Sequence, residues 1–131
     1  MVDLAEEAME HGATGFSTGL FYPTNAGADI DEVSRVGTRF ARHGGVYAAH
    51  MRSEKGPILD SIEETLNTAR RADIPVVISH HKCAGPKNWG RTRETLPVIE
   101  AAAKAAYDAV ALGLTEAMNR WNRYGKDPVE A

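Results

Sequence analysis

Two histidines end two short β-like runs thirty positions apart, Val46-Tyr47-Ala48-Ala49-His50 and Pro75-Val76-Val77-Ile78-Ser79-His80. Between them, Pro57 to Arg71 carries Ile58, Leu59, Ile62, Leu66 and Ala69 at helical spacing. Parallel strands need a crossover of this length, so the stretch reads as one β/α unit. Upstream, Ala13 to Thr18 is a further strand candidate. Asp29 or Asp31 is placed to cap a helix running to His43, with Val33, Val36 and Phe40 on one face. The chain is therefore expected to be α/β, a partial (β/α) TIM-like barrel segment. It should have about three parallel strands, near 13–18, 46–50 and 75–79, in sequence order. The fixed hand of parallel crossovers puts the flanking helices on one side of the sheet. The strand ends near Ser17, His50 and His80 then open into one mouth, where active sites of such folds are built.

The remaining bounds follow from size and composition. A chain of 131 residues holds one domain with a core, whereas a closed eight-unit barrel takes about 250 residues. Residues 1–106 read as the three-unit segment and 107–131 as a divergent helical tail. In that tail the helical spacing of Leu114, Met118 and Trp121 outweighs a weak strand candidate at Val110 to Leu114. Leu4, Ala5 and Met9 form the apolar side of a helix before Gly12. A net charge of −3 argues against nucleic acid or an anionic membrane as partner. No apolar run reaches the ~20 residues of a membrane span, and Met1 to Glu7 has neither the basic nor the apolar region of a signal peptide. Cys83 is the single cysteine and has no internal disulfide partner, which fits a cytoplasmic location. No Gly-rich phosphate-cradling turn follows a strand, which disfavours a flavodoxin-like binding domain.

Neutral imidazole is a good ligand for zinc-like metals, so His50 and His80, delivered by adjacent strands, are candidate metal ligands. By strand alternation Val76, Ile78 and His80 share the interior-facing set, and the next residue, His81, faces elsewhere. Phe16, Tyr47, Val76 and Ile78 are then the apolar residues of the uncovered inner face. His11 and His43 lie at helix C-termini, where partial positive charge is favourable. Lys82 and Arg52 follow the two histidines, and either cation is suited to a substrate carboxylate. Tyr22, in the first strand-end loop, has a hydroxyl able to donate to a developing oxyanion. Cys83 reads as a small loop residue.

Four motifs in order resemble the N-acyl-D-amino-acid deacylases, the D-aminoacylases of the amidohydrolase superfamily. They are Gly15-Phe16-Ser17-Thr18-Gly19-Leu20-Phe21-Tyr22-Pro23, Ala49-His50-Met51-Arg52-Ser53-Glu54, Ile78-Ser79-His80-His81-Lys82, and Asn88-Trp89-Gly90 followed by Glu94-Thr95-Leu96. The resemblance covers roughly residues 1–105. It implies a TIM-like barrel with a small β-domain, hydrolysing the amide of N-acyl-D-amino acids with zinc. It implies that this segment is barrel units four to six, with His50 and His80 as metal ligands. Lys82 then looks like a carboxylate clamp, Tyr22 like a partner of the scissile carbonyl, and Arg52 like a neighbour of the substrate site. The family's early His-X-His pair, its cysteine ligand and its late aspartate base have no counterpart in this chain.

The expected function is thus that of a D-aminoacylase-type metal-dependent hydrolase, present as an internal segment without full activity of its own. The alternative is a non-catalytic α/β module with weak metal binding or a partner-association role. The expected ligands are zinc and a small N-acyl-D-amino acid, and self-association through open sheet edges is expected.

Overall fold

The structure, a computed structural model, describes residues 2–113. In chain order it contains α1 (Val2–Glu10), β1 (Gly15–Gly19), α2 (Ile30–Arg42), β2 (Val46–His50), α3 (Ile58–Ala72), β3 (Val76–Ile78) and α4 (Thr92–Leu112), with one 3₁₀ turn at Pro86–Asn88. The strands form one parallel sheet in the order β1-β2-β3. The α/β reading, the parallel pairing and the spatial order all match the expectation from sequence. Two compact units divide the chain, Met1–Thr95 and Leu96–Ala131. The sheet and α1 to α3 belong to the first, and the division falls inside α4.

Local chemistry sets the element ends. Asp29 caps α2, its Oδ1 accepting from Glu32 N at 2.8 Å. Helix α3 stops where Asp73 enters the left-handed region at φ 53° and its N–H turns back to the last carbonyls. The β-branched run Val76-Val77-Ile78 then forms β3.

The pairing Phe16↔Tyr47↔Val76 defines one row across the sheet, and Thr18↔Ala49↔Ile78 defines the next. Both rows face the helices. Phe16 stacks on Tyr47 with ring centroids 4.7 Å apart and on Phe40 of α2 at 5.0 Å. Tyr47 and Ala49 are buried, in one core with Ala5, Leu20, Val33, Phe40, Ala69, Ala72 and Ile74. Burial pushes the Tyr47 phenol up from its ordinary pKa, partly offset by its hydrogen bond with Thr18 Oγ1 at 2.8 Å. Helix α2 reaches this core through Gly37. A Cβ there would lie 2.9 Å from the Ala72 Cβ and 3.5 Å from the Phe16 ring, so the close approach of α2 to α3 needs glycine.

Several sequence expectations are corrected. The uncovered face of the sheet carries Val46, Ala48 and Val77, not Phe16, Tyr47, Val76 and Ile78. Val77 is 53% exposed, while Tyr47 is 1% exposed. The error is one residue of register, which exchanges the two faces of a strand. Strand β3 ends at Ile78, so His80 is not its last residue, and strand alternation does not place its side chain. Leu4 is exposed rather than on the packed side of α1. Val110 to Leu112 lie in α4, which agrees with the helical reading of that stretch. Leu114, Met118 and Trp121 lie outside the described residues. No helix among the described residues is long and apolar enough to cross a membrane.

The face assignment predicts that Phe40→Ala costs about 3 kcal/mol of stability, whereas Val77→Thr changes it by less than about 0.5 kcal/mol; urea denaturation of the two variants checks both. The exposed Val46 and Val77, and the edges of β1 and β3 that pair with no strand among the described residues, predict concentration-dependent association. Sedimentation should show it weakened by Val77→Lys.

Candidate metal centre at the strand ends

Strands β1 and β2 end together, with Gly19 paired to His50. By alternation His50 lies on the uncovered side of β2, opposite Tyr47 and Ala49. The loop after β1 brings two rings to it, Phe21 at 5.5 Å and Tyr22 at 5.2 Å between centroids. Gly19 permits this approach, because a Cβ there would lie 2.8 Å from the Tyr22 ring.

His80 reaches the same place by a turn. Ser79 N donates to Ala49 O at 3.0 Å, which is the last tie of the β3 segment to β2. His80 then takes φ 41°, in the left-handed region. Its ring meets that of His50 edge to face, with centroids 4.6 Å apart and planes at 75°.

Glu54 completes the group. It lies on the loop after β2, and its side chain is only 7% exposed. Its Oε1 is 3.1 Å from His80 Nδ1 and its Oε2 is 2.5 Å from Lys82 Nζ. The Lys82 ammonium is also 3.3 Å from His80 Nδ1. One ligand atom each from His50, Glu54 and His80 lie within 4.8 Å of one another. Donors around one tetrahedral zinc stand about 3.4 Å apart, so the three side chains must draw in to share an ion. The donor set, two imidazoles and a carboxylate, suits zinc. An independent observation supports the fit. Among the described residues, His50 Nε2 and His81 Nδ1 are buried with no hydrogen-bond partner; the first belongs to this group, and a ligand would relieve that costly state.

The other sequence candidates fall around this group. His81 turns away, with Nε2 2.9 Å from Thr95 Oγ1. Cys83 Sγ is 4.0 Å from that same hydroxyl and outside the group. His11 bonds the carbonyl of Glu7 at 2.8 Å, and His43 sits 3.8 Å from Glu6. Tyr22 is half exposed beside His50.

Arg52 is committed elsewhere. Its Nε and Nη2 grip the Glu64 carboxylate of α3 at 2.8–3.0 Å. Its Nη1 donates to Ala26 O at 2.5 Å and its Nη2 to Ala28 O at 2.6 Å. The hydrogen bond to Glu64 raises its already high pKa further. Arg52 thus fastens the loop that carries Tyr22 to helix α3. The loop after β2 is fixed in turn by Ser53 N to Ser61 Oγ at 3.0 Å, and by Ala84 N to Glu54 O at 2.6 Å.

Known proteins share this arrangement of elements. D-aminoacylase from Alcaligenes xylosoxydans xylosoxydans is 56% identical over 102 residues, which is 78% of this chain and 21% of that protein. This chain is homologous to the N-acyl-D-amino-acid deacylases. A solved D-aminoacylase, described by the functional role of its binuclear metal centre, superposes with a TM-score of 0.76 at 49% identity. The match covers 78% of this chain and 22% of that one. N-acyl-D-glutamate deacylase from Bordetella bronchiseptica, solved with zinc and a phosphonate mimic of the tetrahedral intermediate, gives 0.74 at 38% identity over the same shares. The chain thus spans about a fifth of the length of these deacylases. No protein-family model matches it.

Sequence reasoning passed over Glu54. The available signal was an acid four positions beyond a strand-end histidine, inside a motif already matched to the deacylases. Its burial against His80 and Lys82 is a loop geometry that no periodicity encodes.

The Arg52 tether predicts that Arg52→Ala destabilises the chain by about 3 kcal/mol, because the Glu64 carboxylate loses its partner in a mostly buried site. Arg52→Lys should recover only part, since an ammonium cannot hold a carboxylate and two carbonyls in one plane; thermal denaturation of both variants tests this.

Proposed function

We propose that this chain supplies one sector of a TIM-like barrel hydrolase that cleaves the amide bond of N-acyl-D-amino acids with zinc. The observation that carries the proposal is the convergence of His50, Glu54 and His80, with one ligand atom of each within 4.8 Å of the others. Homology to deacylases, one of them solved with zinc, supports the substrate class and the metal. In this reading His50 and His80 hold the ion and Glu54 is a third donor.

Lewis acidity toward an acyl carbonyl and toward water is what zinc supplies when bound. The chain's own groups bind and orient the substrate. Lys82, half exposed at the rim of the group, holds the substrate carboxylate as a point charge. Tyr22 stands over His50 and donates its hydroxyl toward the scissile carbonyl. Arg52 acts on the substrate indirectly, by fixing the loop on which Tyr22 is carried. The free Cys83 supports a cytoplasmic setting.

Calorimetry should show weak zinc binding that disappears in the His50→Ala, His80→Ala double variant and falls about tenfold in Glu54→Gln. The chain by itself should not turn over an N-acetyl-D-amino acid, since these residues include no assigned base for the attacking water. Chelator-sensitive turnover in a preparation free of host enzyme would show that its catalytic set is complete. Zinc binding indifferent to both histidines would remove the metal reading.

A further inference from the structure

The Glu54 carboxylate is nearly buried, and a buried charge needs a counter-charge. Lys82 supplies it, with its ammonium 2.5 Å from Glu54 Oε2 and 3.3 Å from His80 Nδ1. Those are two of the three residues that would receive a metal ion. The ammonium therefore stands against the donors an ion would use.

We infer that Lys82 and a divalent cation alternate on Glu54, so that metal loading releases Lys82 to bind the substrate's anionic group. The inference rests on the metal reading above and adds to it an order of events. Without an ion, Lys82 neutralises Glu54 and contacts His80, and its ammonium is not free for a ligand. When a divalent ion takes the carboxylate, two positive groups cannot share the site at such distances. Lys82 is the one that can leave, because its side chain is 53% exposed and its flexible stem can swing into the open mouth. There it meets a carboxylate presented beside the ion. The chain thus binds metal first and anion second, and the anion site does not exist before the metal arrives.

Two measurements test this, both with zinc as the probe and the full chain as the protein. In zinc calorimetry, Lys82→Met should bind zinc about tenfold more tightly than the native chain, since one competing positive charge is gone. In amine footprinting of the native chain, acylation of Lys82 should rise when zinc is added, with Lys87 and Lys104 as references. The second measurement needs no variant to fold. A Lys82→Met affinity no tighter than native, or unchanged labelling of Lys82, overturns the alternation. The metal reading survives that outcome if His50→Ala and His80→Ala still abolish binding. Zinc affinity unmoved by either histidine change overturns both.

Discussion

Parallel pairing in fixed register is the constraint from which the rest of this molecule follows. Gly19 is held against His50 and Ala49 against Ile78, so the loops leaving the strands start from one edge of the sheet. Parallel strands force each crossover helix to the same side, so α2 and α3 pack on the face opposite the one that carries His50. Side chains distant in sequence meet at that edge. Glu54 and His80 are 26 positions apart and hydrogen-bonded.

The edge alone does not make a site, because strand-end loops are free to diverge. Here they are tied together. Arg52 draws the first loop to α3 through Ala26, Ala28 and Glu64. The carbonyl of Glu54 accepts from Ala84, joining the second loop to the third. Behind them, the stack of Phe40, Phe16 and Tyr47 fixes the sheet against α2. The rigidity of the group is thus built from backbone ties and one guanidinium, with the Glu54 carboxylate held in turn by His80 and Lys82.

Much of this was readable in the sequence, and the limits are physical. Strand β2 was read to the residue, because Val46 to His50 lies between Gly44-Gly45 and a charged loop. Helices α2 and α3 were read from their apolar spacing and caps. The two faces of the sheet were exchanged, because a period of two carries no information about which parity is inward when both rows are apolar. His80 was placed beside His50, but for a reason that does not hold. The alternation stops at Ile78, and it is the left-handed turn at His80 that aims the ring. Glu54 was missed because burial of an acid in a loop depends on Lys82 and Ala84 arriving from another loop, a tertiary fact with no local signature.

The left-handed backbone at His80 also narrows how this position can drift during evolution. Most side chains are strained at φ 41°, so a replacement must suit the turn as well as the ligand role proposed for the ring. Asparagine tolerates the turn best among polar residues but offers a weaker donor. Glycine keeps the turn and offers none. Aspartate tolerates the turn too, and it would set a second carboxylate beside Glu54. Asparagine or glycine here would therefore keep the loop and remove the imidazole.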